Sequence, residues 1–112
     1  MANTFKSDTK ANVVTALITD NTAVVVTAGG SSTLVLLSIL LSNKVASSAD
    51  VDVYLESGGD DVYLLRNAPV PAGSSLEVIS GSKIIMEAND KLRIRAGTAS
   101  AIDATVSYLD QT

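Results

Sequence analysis

Apolar positions crowd between Ser32 and Ser57, and the run Leu34-Val35-Leu36-Leu37-Ser38-Ile39-Leu40-Leu41 is the centre of that stretch. A membrane helix needs about 20 apolar residues, so this run is too short to be one. Gly29-Gly30-Ser31-Ser32 precede it and Ser42-Asn43 follow it. A short apolar run bounded by turn residues reads as a core strand. Side chains on a strand alternate between two faces. Val35, Leu37, Ile39 and Leu41 fall on one face, and Leu34, Leu36, Ser38 and Leu40 on the other. Both faces therefore read as apolar. One fills the core. The other is expected to be covered by a second layer or by a second subunit. Burying a leucine is worth roughly 1.5–3 kcal/mol, so leaving Leu34, Leu36 and Leu40 in water would forfeit on the order of 4–9 kcal/mol.

The remaining pattern is a series of short strands. Asn12–Thr19 and Thr22–Thr27 are rich in β-branched residues and flank Asp20-Asn21, which predicts a hairpin. Asp50–Glu56 alternates cleanly, with Val51, Val53 and Leu55 on one face and Asp50, Asp52, Tyr54 and Glu56 on the other. Ser57-Gly58-Gly59-Asp60-Asp61 turns the chain back into Val62–Arg66. Pro69 and Pro71 keep Ala68–Gly73 out of a central strand, so it reads as an extended connection. Strands follow at Ser75–Ser80, Lys83–Glu87, Lys91–Arg95 and Ile102–Tyr108, separated by Gly81-Ser82, Ala88-Asn89-Asp90 and Gly97–Ser100. No amphipathic helix is apparent. The expected fold is all-β: a single small antiparallel β-sandwich or jelly-roll-like domain of about eight strands. It should span residues 12–112, preceded by an arm at residues 1–11. That arm is polar, and reads either as a loose tail or as a segment laid on a neighbouring subunit with Phe5 as its anchor.

Composition narrows the chemistry. Of 112 residues, 12 are acidic and 8 basic, for a net charge of −4. An acidic chain without a basic cluster is a poor match for a phosphate backbone, so no nucleic-acid partner is expected. The chain has no Cys and no His. It therefore lacks thiol chemistry, the commonest zinc ligands and the commonest general base. The start of the chain lacks the basic-then-apolar build of a signal peptide, and synthesis in a cytoplasm is expected.

Candidate motifs do not rise to a catalytic site. Gly29-Gly30-Ser31-Ser32 lacks the Lys of a phosphate loop. Asp60 and Asp61, near Asp50, Asp52 and Glu56, form the densest acidic region; their spacing is not that of an EF-hand, and the turn reads as a solvated hairpin tip, with a weak calcium site as the lesser alternative. Lys91, Arg93 and Arg95 project from one strand face and are expected to pair with Asp50, Asp52 or Glu56, across the sheet or across an interface, or to remain a solvated face. No catalytic residue, metal ligand or cofactor is assigned, and an enzyme is not expected.

Four phrases carry a resemblance: Met1-Ala2-Asn3-Thr4-Phe5-Lys6, Val51-Asp52-Val53-Tyr54, Val70-Pro71-Ala72-Gly73-Ser74-Ser75-Leu76 and Val106-Ser107-Tyr108-Leu109-Asp110. Together with the chain's length and strand order, they resemble small β-sandwich virion structural proteins of tailed phages, of the marine and cyanobacterial type. The resemblance implies a non-enzymatic structural protein of the virion, made in the host cytoplasm, with a capsid decoration or cement role foremost and a neck, tail or fibre role as alternative. It implies partners too: further copies of the chain, with a trimer the expected order, and other virion proteins such as the major capsid protein, but no membrane. Phe5, Leu34, Leu36 and Leu40 are the candidate subunit-interface residues. A more distant alternative is a carbohydrate- or surface-binding β-sandwich, for which Phe5, Tyr54, Tyr63 and Tyr108 are the available aromatics.

Overall fold

The structure, a computed structural model, describes residues 3–15, 24–79 and 83–111. Nine strands and no helix occur among them. They are β1 (Asn3–Lys10), β2 (Val24–Thr27), β3 (Thr33–Asn43), β4 (Ala49–Ser57), β5 (Asp60–Val70), β6 (Ser75–Glu77), β7 (Ile84–Met86), β8 (Lys91–Ala96) and β9 (Ile102–Gln111).

The strands form two antiparallel sheets. The first runs β1-β9-β3-β6, with β7 also on β3; the second runs β2-β8-β4-β5. β6 pairs with Leu40–Ser42 of β3, and β7 pairs with Leu34–Leu36. These two short strands thus lie along one edge of β3 as halves of an interrupted strand. The pairing nests: first strand with last, second with eighth, third with the sixth and seventh, fourth with fifth. That is a long antiparallel hairpin rolled into a two-sheet jelly roll, the expected class.

The core explains the two-faced run. Leu36 pairs with Tyr108 but Ser38 pairs with Ser107, so Leu37 is an extra residue in β3. Such a bulge reverses the face that each later residue presents. Leu34 and Leu36 point inward before it; Ile39 and Leu41 point inward after it. They pack with Val51 and Val53 of β4 and with Leu92 and Ile94 of β8. The Glu77 carboxylate fills the gap between β6 and β7: it accepts the Ser38 hydroxyl at 2.6 Å and the Ile39 N–H at 3.0 Å.

Four expectations change. Leu34 and Leu36, proposed as interface residues, are 2% and 0% exposed and belong to the chain's own core, because the bulge lets one face of β3 collect apolar residues of both parities. Residues 3–10 are not a detached arm: they form β1, paired along its length with β9. Ala68–Val70 continues β5 to Val70, with Pro69 opposite Asp50. Proline is tolerated there because β5 is the edge of its sheet. Of the expected first hairpin, Val24–Thr27 is β2, Asn12–Thr15 is not strand, and its turn lies outside the described residues.

The bulge generates a prediction. Strict alternation puts Leu36 and Leu40 on one face; the structure separates them, with Leu40 37% exposed. Leu36→Ala should therefore cost about 2–5 kcal/mol in urea unfolding. Leu40→Ala should cost less than about 1 kcal/mol, as at other surface positions. Equal losses would refute the bulge register.

Candidate interaction face

The outer faces of the two sheets differ in character. The second sheet's outer face is charged and closely paired. Arg93 donates to Glu56 Oε1 from Nε at 3.0 Å and from Nη2 at 2.6 Å. Arg95 Nη1 donates to Asp52 Oδ2 at 2.8 Å. Asp52 Oδ1 takes the N–H of Asn67 at 2.7 Å, where a positive φ of 52° marks irregular backbone in β5. The expected cation–carboxylate pairing is thus made across the sheet, by Arg93 with Glu56 and Arg95 with Asp52. Tyr54 lies buried in this layer. Its ring stands 5.3 Å from that of Tyr63, over which Arg66 sits at 5.2 Å.

The acidic turn is a two-residue hairpin. Gly58 and Gly59 have φ of 59° and 87°, and Ser57 faces Asp60 in register. Both central residues need positive φ in this turn, which glycine supplies without strain. Asp50 lies at the far end of β4, opposite Pro69, and Asp52 and Glu56 are held by arginines. The five acidic residues grouped by sequence do not converge. Among the described residues no group of three or more potential metal ligands comes together.

The first sheet's outer face is neutral. Phe5 pairs with Leu109, Leu109 with Val35, and Val35 with Ile85. Paired residues on antiparallel strands share a face, so these four side chains form one apolar row across β1, β9, β3 and β7. Phe5 is 78% exposed and Ile85 51%. Ser7, Ser107 and Ser38 form the next row, and Thr9, Thr105 and Leu40 the one after. Charge enters at the margins, where Lys44 donates to Asp103 at 2.9 Å and Glu77 closes the β3 gap. Hydrogen bonds from the Lys44 ammonium and then from the Asn12 N–H hold the Asp103 carboxyl below the usual carboxylate range.

Phe5 and Leu40 thus lie on the outer face as expected, while Leu34 and Leu36 do not. Sequence reasoning missed Val35, Leu109 and Ile85; strict alternation groups Val35 with Ile39 and Leu41, from which the bulge separates it. For Leu109 and Ile85 a signal existed. Leu109 is the large apolar residue out of phase with Ile102, Ala104, Val106 and Tyr108. Ile85 adjoins Ile84, and neighbours on a strand cannot both face inward.

A polar seam lies on the inner side of the β1–β9 pair. Lys6 Nζ donates to Asp110 Oδ2 at 2.9 Å, and the Tyr108 hydroxyl donates to Asp8 Oδ2 at 2.9 Å. These contacts tie β1 down, since its side chains are all exposed or half-buried.

No model of a known protein family matches the chain, and no curated protein and no solved structure is significantly similar to it. The case for function therefore rests on the fold and the two faces.

The tyrosines set an alkaline limit. Burial is the main cause that lifts Tyr54 from 10 to about 12, with Arg93 working against it. Burial, reinforced by the hydrogen bond to Asp8, lifts Tyr108 to about 12. Both favour the neutral phenol of the folded state. Their contribution is full below pH 10 and is lost as pH rises toward 12, by roughly 2–3 kcal/mol each at most. Urea midpoints should fall steeply across that window, and Tyr54→Phe should flatten the fall. A midpoint unchanged up to pH 12 in the parent would contradict this account.

Proposed function

We propose that this chain is a non-enzymatic structural protein of a tailed-phage virion, a capsid decoration or cement protein that works by symmetric contacts with further copies and with other virion proteins. The observation that carries the reading is the neutral apolar row Phe5–Leu109–Val35–Ile85 on the outer face of one sheet. An acidic protein with net charge −4 repels its own copies. Contact between copies is least costly through a surface free of charge, and this row offers apolar area there as well. The jelly roll is compatible with the role, being an architecture of viral capsid domains, although lectins use it too and fold alone does not decide function. A neck, tail or fibre position would use the same face.

The carbohydrate-binding alternative loses ground on geometry. Sugar platforms need exposed rings, and Tyr54 and Tyr108 are buried. Phe5 and Tyr63 remain accessible, but they sit on the outer faces of different sheets.

The test separates folding from assembly. Phe5→Asp combined with Ile85→Asp should change the unfolding free energy in urea by no more than about 0.5 kcal/mol per site, since both side chains are largely exposed. The parent should scatter light as an oligomer and co-sediment with phage capsids, and the double variant should do neither. Retained mass and retained capsid binding in a folded double variant would remove the proposal.

A further inference from the structure

We infer that β1 pairs edge to edge with β1 of a second copy, in one antiparallel register centred on Ser7. The inference rests on the self-assembling reading above and adds a surface distinct from the apolar row. β1 ends its sheet, and among the described residues no strand pairs with its other side. An unpaired edge presents a row of N–H and C=O groups, and proteins usually blunt such edges with charge or proline. β1 has no proline, and its charges alternate in sign along the inward-facing positions: Lys6, Asp8, Lys10.

That alternation selects the register. A two-fold axis perpendicular to the sheet pairs residues of the same face. Centred on Ser7, it sets Lys6 opposite the second copy's Asp8, and Asp8 opposite the second copy's Lys6. Phe5 then meets Thr9, and Thr4 meets Lys10. Centring on Lys6 would set Lys6 against itself. Centring on Asp8 would set Asp8 against itself and Lys6 against Lys10. Like charges directly opposite are unfavourable and opposite charges favourable. Only the Ser7-centred register therefore joins the length of β1 with its charges matched. The pairing is isologous, as two-fold contacts are. It would join two first sheets into one and set their neutral outer faces on the same side.

The absence of cysteine makes the register directly measurable. Ser7 is exposed, so Ser7→Cys leaves the fold undisturbed. Opposed residues in antiparallel strands have Cα atoms about 4.5–5.5 Å apart, within the range of about 4.4–6.8 Å that a disulfide spans. Under mild oxidation Ser7→Cys should convert mostly to a linked dimer. Thr9→Cys alone should remain unlinked, and Phe5→Cys combined with Thr9→Cys should link. Efficient linking of Thr9→Cys with none for Ser7→Cys would overturn the register. An oligomer by light scattering that none of these variants link would overturn edge pairing and leave the apolar-face reading standing. A parent that is a monomer, or a trimer that excludes a two-fold pair, overturns it as well. Capsid co-sedimentation then decides the assembly reading separately.

Discussion

The interior depends on one extra residue in β3. Without Leu37 out of register, a strand carrying Leu34 and Leu36 inward would present Ser38 and Leu40 to the core and turn Ile39 and Leu41 to solvent. With it, four large side chains reach one core from a run that does not alternate. The bulge has a cost, since it interrupts the ladder with β9 just where the opposite edge of β3 is open between β6 and β7. The Glu77 carboxylate meets that cost by accepting the Ile39 N–H and the Ser38 hydroxyl. A buried N–H left unpaired there would cost about 1–3 kcal/mol. Core and edge are thus resolved by the same few residues.

The second organising constraint is the segregation of charge. Acidic and basic side chains concentrate on the outer face of the second sheet, where Arg93 and Arg95 satisfy Glu56 and Asp52. The first sheet's outer face carries hydroxyls and hydrocarbon. Arg93 and Asp52 are themselves buried, at 4% and 7% exposed, so the pairs satisfy charge that burial would otherwise penalise. The same segregation runs along β1, where the side chains facing in are Lys6 and Asp8 and those facing out are Phe5, Ser7 and Thr9.

Much of the fold was legible in the sequence because alternation reports burial directly. Val51, Val53 and Leu55 of β4, Leu92 and Ile94 of β8, and Ile102 through Tyr108 of β9 all keep the faces that their spacing predicts. What escaped was information that alternation does not carry. A bulge looks like two apolar faces until the partner strand is known, so Leu36 and Leu40 read as equivalent. The polar run Asn3–Lys10 reads as a tail, because a strand held by backbone bonds to β9 and by Lys6–Asp110 and Asp8–Tyr108 shows no hydrophobic period. The apolar row escaped for a related reason. Its four members come from four strands, and registers between distant strands leave no local trace.

The nesting of β1 with β9 has a consequence in time. The partners of Asn3–Lys10 are Ala104–Gln111, so β1 waits for a partner about a hundred residues further along the chain. Loop closure over such a separation is slow, and non-local pairing is what makes β topologies fold slowly. Until Ala104–Gln111 has been made, β1 lacks the strand that holds it, and the first sheet cannot close at that edge.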